Sequence, residues 1–457
     1  MAKPSVRVGA AQGFYGDSLD AALATARRGD IDYLSFDALS ELTLAILAKD
    51  RAKNPAAGYT KDFVPAMRQL LPLARQHGFK ILTNAGGINP EAAQAAAVEV
   101  AAALGLSGLR IAVVTGDDVR GRLEEWARAG WLGGDLETGR NFGDIPPDIL
   151  FANVYLGSEP LVAALAQGAD LVISGRTTDS AQFMAPLLYE FGWAPDDWDR
   201  LAQGVLMGHL LECSAQSTGG NFSGAWWTVP DLDRVGYPVA VCRQDGSFVL
   251  TKTPGTGGLV SRDTVKEQML YEIHDPARYL TPDVVADFTA ARLHDAGPDQ
   301  VEVSGAAGHV RPATLKLVVG YPDGYMGQAL VGYAWPDALL KAEAAEAIVR
   351  RQLARRGWEY DEIHTDYLGW NSLHGPAAPR PPENINEIYL RMSVRARTAE
   401  QAARFGRLFP PLALDGPPGM GGTAGMMPPR QLLGMWSGLI ARELVDPFVR
   451  VRIEEVD

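Results

Sequence analysis

The chain has 457 residues, enough for two or three domains, since a single hydrophobic core stops growing at roughly 250 to 300 residues. With 47% hydrophobic and 21% charged residues it has globular composition, and a net charge of −13 disfavours nucleic acid or an anionic membrane as a general partner. Small molecules are therefore the expected partners, and the two cysteines, Cys213 and Cys242, exclude a disulfide framework and a cysteine-rich zinc site.

The start, Met-Ala-Lys-Pro-Ser, runs into a short apolar strand without a signal-peptide core. No apolar run reaches about twenty residues, so a cytoplasmic location is expected. Strand and helix patterns then alternate. Residues 5–11 read as a strand ending in Gln12-Gly13, 19–28 as a helix, and 31–36 as a strand ending in Asp37. Helical patterns over 42–52 and 62–77 precede a strand at 80–83, which closes on Asn84-Ala85-Gly86-Gly87. Pro90 then opens an Ala-rich helix in the favoured first-turn position. A strand at 109–114 leads through Gly116-Asp117-Asp118 to a helix at 119–129. A helix at 160–167, a buried strand at 169–174 and the segment Gly175-Arg176-Thr177-Thr178-Asp179 introduce a further helix through Tyr189.

This alternation predicts an α/β fold whose N-terminal half is a mainly parallel sheet with helices on both faces. Ligands in such sheets collect beyond the carboxyl ends of the strands. Here those ends carry Gln12 with Asp17, Asp37 with Glu41, Asn84 with Gly86 and Gly87, Asp117, and Arg176 with Asp179. Each position singly is compatible with helix capping or a turn; five such ends together point to a site.

The densest polar stretch follows an apolar helical run: Gly208-His209-Leu210-Leu211-Glu212-Cys213-Ser214-Ala215-Gln216-Ser217-Thr218-Gly219-Gly220-Asn221. On a helix His209 and Glu212 share a face, within reach of a shared proton or ligand, while Gly219-Gly220 let the backbone approach a ligand closely.

From about residue 224 the pattern changes. A hairpin is expected from 239–242 and 248–251, then Lys252, Gly257 and Gly258 ahead of a helix opened by Ser261, an arrangement suited to holding an anion. Tyr271-Glu272 and His274-Asp275 stand at a helix end, and Trp226-Trp227 read either as an apolar wall or as core. Strands at 300–303 and 314–320 flank a Gly-Ala-Ala-Gly turn. A helix at 338–356, a strand at 388–396, a helix at 398–408 and a strand at 448–453 give an α+β C-terminal half. The proline- and glycine-dense segment 410–429, with Gly419-Met420-Gly421-Gly422, is long enough to suggest a functional loop. The expected organisation is an α/β domain over 1–225 and an α+β domain over 226–457.

Several of these blocks together resemble the acyclic terpene utilisation AtuA family. They are Gly13-Phe14-Tyr15-Gly16-Asp17, Asn84 through Pro90, Gly116-Asp117-Asp118, Gly168-Ala169-Asp170 through Asp179, Gly208 through Asn221, Lys252 with Gly257-Gly258, and Gln268 through Pro276. The resemblance covers most of the chain to about residue 330. It implies a setting of acyclic terpenoid or branched carboxylic acid breakdown, in which intermediates travel as coenzyme A thioesters. Some relatives carry an additional C-terminal ferredoxin-like domain, which is not evident here, so a separate small ferredoxin-like subunit is conceivable. The resemblance supplies no catalytic residues.

Those come from residue types. Acid-base lyase chemistry, a hydratase, dehydratase or isomerase acting on an acyl-CoA or carboxylate, fits the inventory best. Glu212 or Asp179 is the candidate base, His209 the partner acid and Arg176 a two-point carboxylate clamp. Gly86, Gly87, Gly219 and Gly220 are candidate donors to an enolate oxygen, and Asn84, Asp17, Asp117, Asn221, Lys252, Gly257 and Gly258 are candidate substrate contacts. A simpler reading pairs Arg176 with Asp179 or Asp170, and His209 with Glu212 at a helix end. Two further classes stay open: a non-catalytic subunit that binds an acyl-CoA or a partner, and a divalent-metal enzyme using Asp17, Asp37, Asp117 and Asp179 with His209 and Glu212. No second histidine neighbours His209, so no metal ligands are assigned and no cofactor is specified beyond coenzyme A as part of a substrate. Cys213 is expected to be inert, there is no nucleophile-elbow motif, and a homo-oligomer is the base expectation for such a chain.

Overall fold

A computed structural model describes residues 3–422 and 427–457. It has a mixed α/β fold organised on a large mixed sheet. Five short strands form its parallel centre: Val6–Ala10, Tyr33–Phe36, Lys80–Thr83, Leu171–Ser174 and Arg110–Thr115, in that spatial order. Apart from Arg7, Lys80, Arg110 and Thr115 their residues are buried, as expected for continuous apolar runs covered on both faces.

Antiparallel strands extend both flanks. The hairpin Pro238–Cys242 and Phe248–Lys252 joins Val6–Ala10, followed outward by Gln300–Ser304 and Arg292–Gly297. On the other flank Arg450–Glu455 pairs with Arg110–Thr115. The chain divides into two compact units: residues 1–145, 149–320 and 436–457 form the first, and 146–148 with 321–435 the second. Residue 225, the expected boundary, falls inside the first unit, because the strands that follow it complete the sheet begun at Val6.

The helix Trp198–Glu212 positions the site. Every residue from Leu201 to Glu212 is buried, so the helix is enclosed on all sides instead of presenting one apolar stripe. Gly208 permits this: a Cβ there would stand 2.6 Å from Cβ of Ser180, at the start of the neighbouring helix Ala181–Phe191. The helix stops at Glu212, and a 3-10 turn, Ser214–Thr218, ends at Gly219 with φ +97°.

Differences from the sequence reading have local causes. The helix expected at 119–129 splits into a 3-10 turn, Arg120–Arg122, and the short helix Leu123–Arg128. The expected turn after residue 304 contributes instead a strand, Ala307–His309, paired with Val285–Asp287. The strand Arg292–Gly297 is largely exposed and has no apolar alternation to betray it; pairing with Gln300–Ser304 creates it.

In the second unit the chain follows Thr314–Ala334 from Tyr321 onward, the helix Ala338–Arg356, the strands Glu362–Leu368 and Glu387–Ala396, the helix Ala399–Gly406 and the strand Arg430–Ala441 only as far as Met435. The strand Glu387–Ala396 lies between the other two of the first three, antiparallel to both, and Arg430–Ala441 pairs with Thr314–Ala334. This is a split βαβ arrangement of the ferredoxin-like type. Its core packs Ala342, Ala345, Val349 and Leu353 of the long helix against Val331, Ile388, Leu390 and Met392 of the sheet. Thr398 and Gln401 close a capping box at the start of Ala399–Gly406. Of the segment 410–429, Met420–Gly421 pairs with Gly332–Tyr333, and 423–426 lie outside the described residues.

Candidate functional site

At the carboxyl ends of the central strands lies a cavity of about 560 Å³. Gly13 from the first strand end, Asp37 from the second, Arg176 and Asp179 from the fourth, and Glu212 and Cys213 from the end of the enclosed helix all line it. The strand ends and the polar helix terminus therefore converge on one chamber. Gly13 allows the closest approach: a Cβ at that position would stand 2.8 Å from the Glu212 carbonyl oxygen and 2.9 Å from the Ser214 nitrogen. Gly13→Ala should destabilise the protein by about 1–3 kcal/mol through backbone displacement, read as a lowered urea midpoint. A midpoint unchanged from the parent would contradict this packing.

His209 and Glu212 are both buried, and His209 Nδ1 lies 2.7 Å from Glu212 Oε1. Burial pushes the Glu212 carboxyl up to about 7, against the pull of His209. Burial opposes the charged imidazole most strongly, yet the Glu212 carboxylate, with smaller help from Gln268 and Asp179, raises His209 above its ordinary value. His209 Nε2 and Glu212 Oε2 have no hydrogen-bond partner among the described residues. The ring of His209 packs against Tyr279 and Phe288, with centroids 5.8 and 6.3 Å away. Glu212 lines the chamber and His209 does not. Nearby, an amide chain links the helix to the chamber wall: Gln268 donates to the His209 carbonyl at 2.9 Å, Gln216 to Gln268 at 3.1 Å, and Asn221 to Gln216 at 2.9 Å.

Asp37 is the second buried carboxyl on the wall. Burial, reinforced by Asp179, holds it well above the usual carboxylate range, although Asn84 Nδ2 donates to it at 2.5 Å. Asn84 also accepts from the Ala38 backbone, so it orients Asp37 from behind without lining the chamber.

Arg176 is buried, donates through Nη1 to Asp179 at 2.7 Å and to the Leu39 carbonyl at 3.0 Å, and lies 4.0 Å over the Tyr155 ring. Its Nε has no partner among the described residues. Burial disfavours its charge most strongly, but Asp179, Tyr155, Asp37 and Glu41 together raise it well above its ordinary value. Both the ion pair and the exposure of Arg176 to the chamber are therefore present. Glu41 accepts from the Tyr155 hydroxyl and pairs with Lys316 at 3.1 Å. Burial alone would raise Glu41, but Arg176 and these partners bring it down to about 2.

The other expected contacts divide. Asp17, Gly220 and Asn221 line the chamber, Asn221 with a left-handed φ of +54°. Ser214 and Glu272, also on the wall, share that strained backbone region, which clusters at functional positions. Asp117 lies behind the wall, accepting from the Arg176 backbone at 2.7 Å and from Asn153 at 2.8 Å, and burial pushes it up to about 6. Gly86 and Gly87 serve chain packing, against the Ser174 carbonyl and Leu47, and Gly219 packs against Val229. Lys252 is spent on the Thr256 carbonyl and Asp299, while Gly257 and Gly258 pack against Asp231 and Thr218. These residues build the frame, because glycine and paired lysine patterns serve tight packing as readily as ligands. Trp226 and Trp227 are exposed, edge to face at 6.0 Å, and belong neither to the core nor to the chamber wall. His274 and Asp275 also stand off the wall, whereas Tyr271 and Glu272 are on it.

Tyr155 and Lys316 escaped the sequence reading. Tyr155 follows a buried strand, Phe151–Val154, that is too short to announce itself, and Lys316 reaches Glu41 from a distant strand. Among the described residues no group of three or more His, Cys, Asp or Glu could hold a metal ion. Asp17 is instead bound by Tyr237 and the Gly13 backbone. Burial and Glu212 raise the Cys213 thiol far above its ordinary value, which removes the thiolate a nucleophile requires. No helix among the described residues is long and apolar enough to cross a membrane.

The fold and chamber define an α/β protein whose polar chamber sits at the carboxyl ends of the parallel central strands and combines two carboxyls held at raised pKa with one buried guanidinium. The chain belongs to the acyclic terpene utilisation family AtuA, whose model matches residues 6–451. No curated protein matches it.

Proposed function

We propose that this protein catalyses acid-base lyase chemistry, the reversible addition or removal of water or the related double-bond shift, on a branched or unsaturated carboxylic acid carried as its coenzyme A thioester. The observation that carries the proposal is the pair of buried carboxyls, Glu212 and Asp37, on one wall with Arg176. A carboxyl held at about 7 is matched to proton transfer near neutral pH, and burial of the second, Asp37, favours its proton-donating form.

In the dehydration direction Glu212 Oε2 takes the proton from the carbon next to the carbonyl, and His209 balances the charge on Glu212. Asp37 gives its proton to the departing hydroxyl, which leaves as water as the double bond forms. Glu212 is left protonated and Asp37 ionised; transfer of one proton between them through solvent restores the starting state. The role of acid thus passes from His209, which stands off the wall, to Asp37. Asp179 is committed to Arg176, which makes Glu212 the better base. Arg176, with a spare Nε, favours the enolate oxygen that develops between the steps.

The test is to incubate the protein with 3-methylbut-2-enoyl-CoA in deuterium oxide and follow the thioester by mass spectrometry and NMR. Hydration is expected to give the 3-hydroxy thioester carrying one deuterium next to the carbonyl, and a double-bond shift to give a deuterated isomer. A thioester recovered unchanged and without deuterium would sink the acid-base reading.

A further inference from the structure

A second cavity, of about 620 Å³, adjoins the chamber and shares Asp17, Ala215, Gly220 and Asn221 with it. We propose that this groove holds the remote arm of the substrate, a long amide-bearing chain ending in phosphate, and that Arg28 receives its terminal anion. This rests on the acid-base reading of the chamber and deepens it by assigning a groove and a cation to the part of the thioester that does not react.

The partition between the two cavities is fixed. Asp17 Oδ1 accepts from the Tyr237 hydroxyl at 2.7 Å and Asp17 Oδ2 from the Gly13 backbone at 3.0 Å, while Asn221 is held to Gln216 at 2.9 Å. A ligand whose carbonyl sits near Glu212 therefore meets a shaped rim, and anything attached beyond the carbonyl has a ready-made path past it. A small branched acid would be accommodated by the chamber alone, which is already within the usual size of a small-molecule site. The groove has no use for such a ligand.

The chemistry of the groove wall selects the arm. Asp20 and Asp233 offer acceptors to amide N–H groups, and Ala21, Ala24, Leu232 and Val235 give apolar surface to the methylenes between them. Two guanidiniums complete the wall. Arg234 is paired with Asp231 at 2.6 Å, whereas Arg28 is exposed and has no ion-pair partner among the described residues. Arg28 lies over the loop at Gly255, where a Cβ would stand 3.1 Å from its Nη1, on the same wall as Thr256. An arginine without an ion-pair partner, on the wall of a groove that adjoins the chamber, is suited to a phosphate.

Calorimetric titration of 3-methylbut-2-enoyl-CoA is compared with that of the same acyl group on N-acetylcysteamine, which keeps the thioester and lacks the phosphates, in the parent protein and in Arg28→Ala and Arg28→Glu. The coenzyme A thioester is expected to bind at least tenfold more tightly than the truncated one. Arg28→Ala should weaken the former roughly fivefold to tenfold, Arg28→Glu more, and neither should change the latter. Equal affinity of the two thioesters, an unchanged affinity in both variants, or no binding of either thioester overturns the groove assignment. These are binding results, so they are separate from the deuterium experiment: the groove can fail while the chamber still exchanges protons, and the chamber chemistry can fail while Arg28 still discriminates.

Discussion

Glu212→Gln is expected to lower turnover by about 10²- to 10⁴-fold while leaving thioester binding within a factor of a few. Glutamine keeps the shape of the side chain and still offers an oxygen to His209 Nδ1, so the enclosed helix has no reason to repack. What it loses is the ability to accept a proton. Parallel measurements of kcat and of thioester affinity separate the two effects; a variant that binds and still turns over at the parental rate removes Glu212 as the base. The same substitution has a stability signature of fixed sign. Burial holds the Glu212 carboxyl at about 7 in the folded protein against 4.5 for a free glutamate side chain. Between those values the folded state keeps a proton that the unfolded state has released. Stability from this group is therefore fully present below pH 4.5 and declines as the pH rises to 7, by at most about 3 kcal/mol. His209, raised above 6.5, acts in the same direction, losing its stabilisation as the pH climbs through its folded value. Glu212→Gln should thus flatten the fall in the urea midpoint between pH 5 and 8. An equally steep fall in the variant would contradict the burial of this charge.

The second large effect is expected at Arg176. Arg176→Met retains much of the side-chain length and its contact with Tyr155 but removes the cation that faces Asp179, Glu41 and Asp37. Arg176 is buried while its partner Asp179 keeps 31% of its side-chain surface in solvent, so deleting the cation costs less than in a fully buried pair, about 1–3 kcal/mol. The urea midpoint should drop accordingly near neutral pH. The loss should shrink as the pH is lowered and the orphaned carboxyls take up protons. Arg176→Lys should recover only part of the stability, because an ammonium cannot both stack on Tyr155 and reproduce the guanidinium's hydrogen-bond geometry towards Asp179 and the Leu39 carbonyl. Full recovery by lysine would show that charge alone matters at this position. Thioester binding should fall in both variants if Arg176 also meets the ligand.

Both predictions depend on a feature common among binding and catalytic sites: groups whose ionisation is costly are kept where a better-packed apolar residue would give a more stable protein. His209 Nε2, Glu212 Oε2 and Arg176 Nε are buried without partners among the described residues. Each is a polar atom removed from water with no compensating hydrogen bond, and each belongs to a residue of the chamber or to its immediate support. A ligand that supplied those partners would recover part of that cost on binding.

Much of the site was readable from the chain itself. Apolar runs with period-free burial gave the central strands, and polar residues at their ends gave Asp37, Asn84, Asp117, Arg176 and Asp179. Helical spacing put His209 and Glu212 on one face, because residues three apart in an α-helix always are. These are local consequences of covalent geometry and hydrophobic periodicity, and the chain needs no partner segment to express them. Family membership was legible for a similar reason, since it resides in ordered blocks of residues.

Tertiary structure decided the rest. Whether a polar strand end faces a ligand or the frame depends on which segment packs behind it: Asp37 reaches the wall because Asn84 fills the space behind, while Asp117 is taken by the Arg176 backbone and Asn153. Lys252 looked like a free cation until Asp299, distant in sequence, came within 3.3 Å. The strand Arg292–Gly297 and the network of Tyr155, Glu41 and Lys316 exist only through long-range pairing. The sequence by itself determined which groups the protein has for acid-base chemistry and the local elements that carry them. Only the folded chain decided which of those groups lose their water and meet, and burial of that kind depends on neighbours that no local spacing specifies.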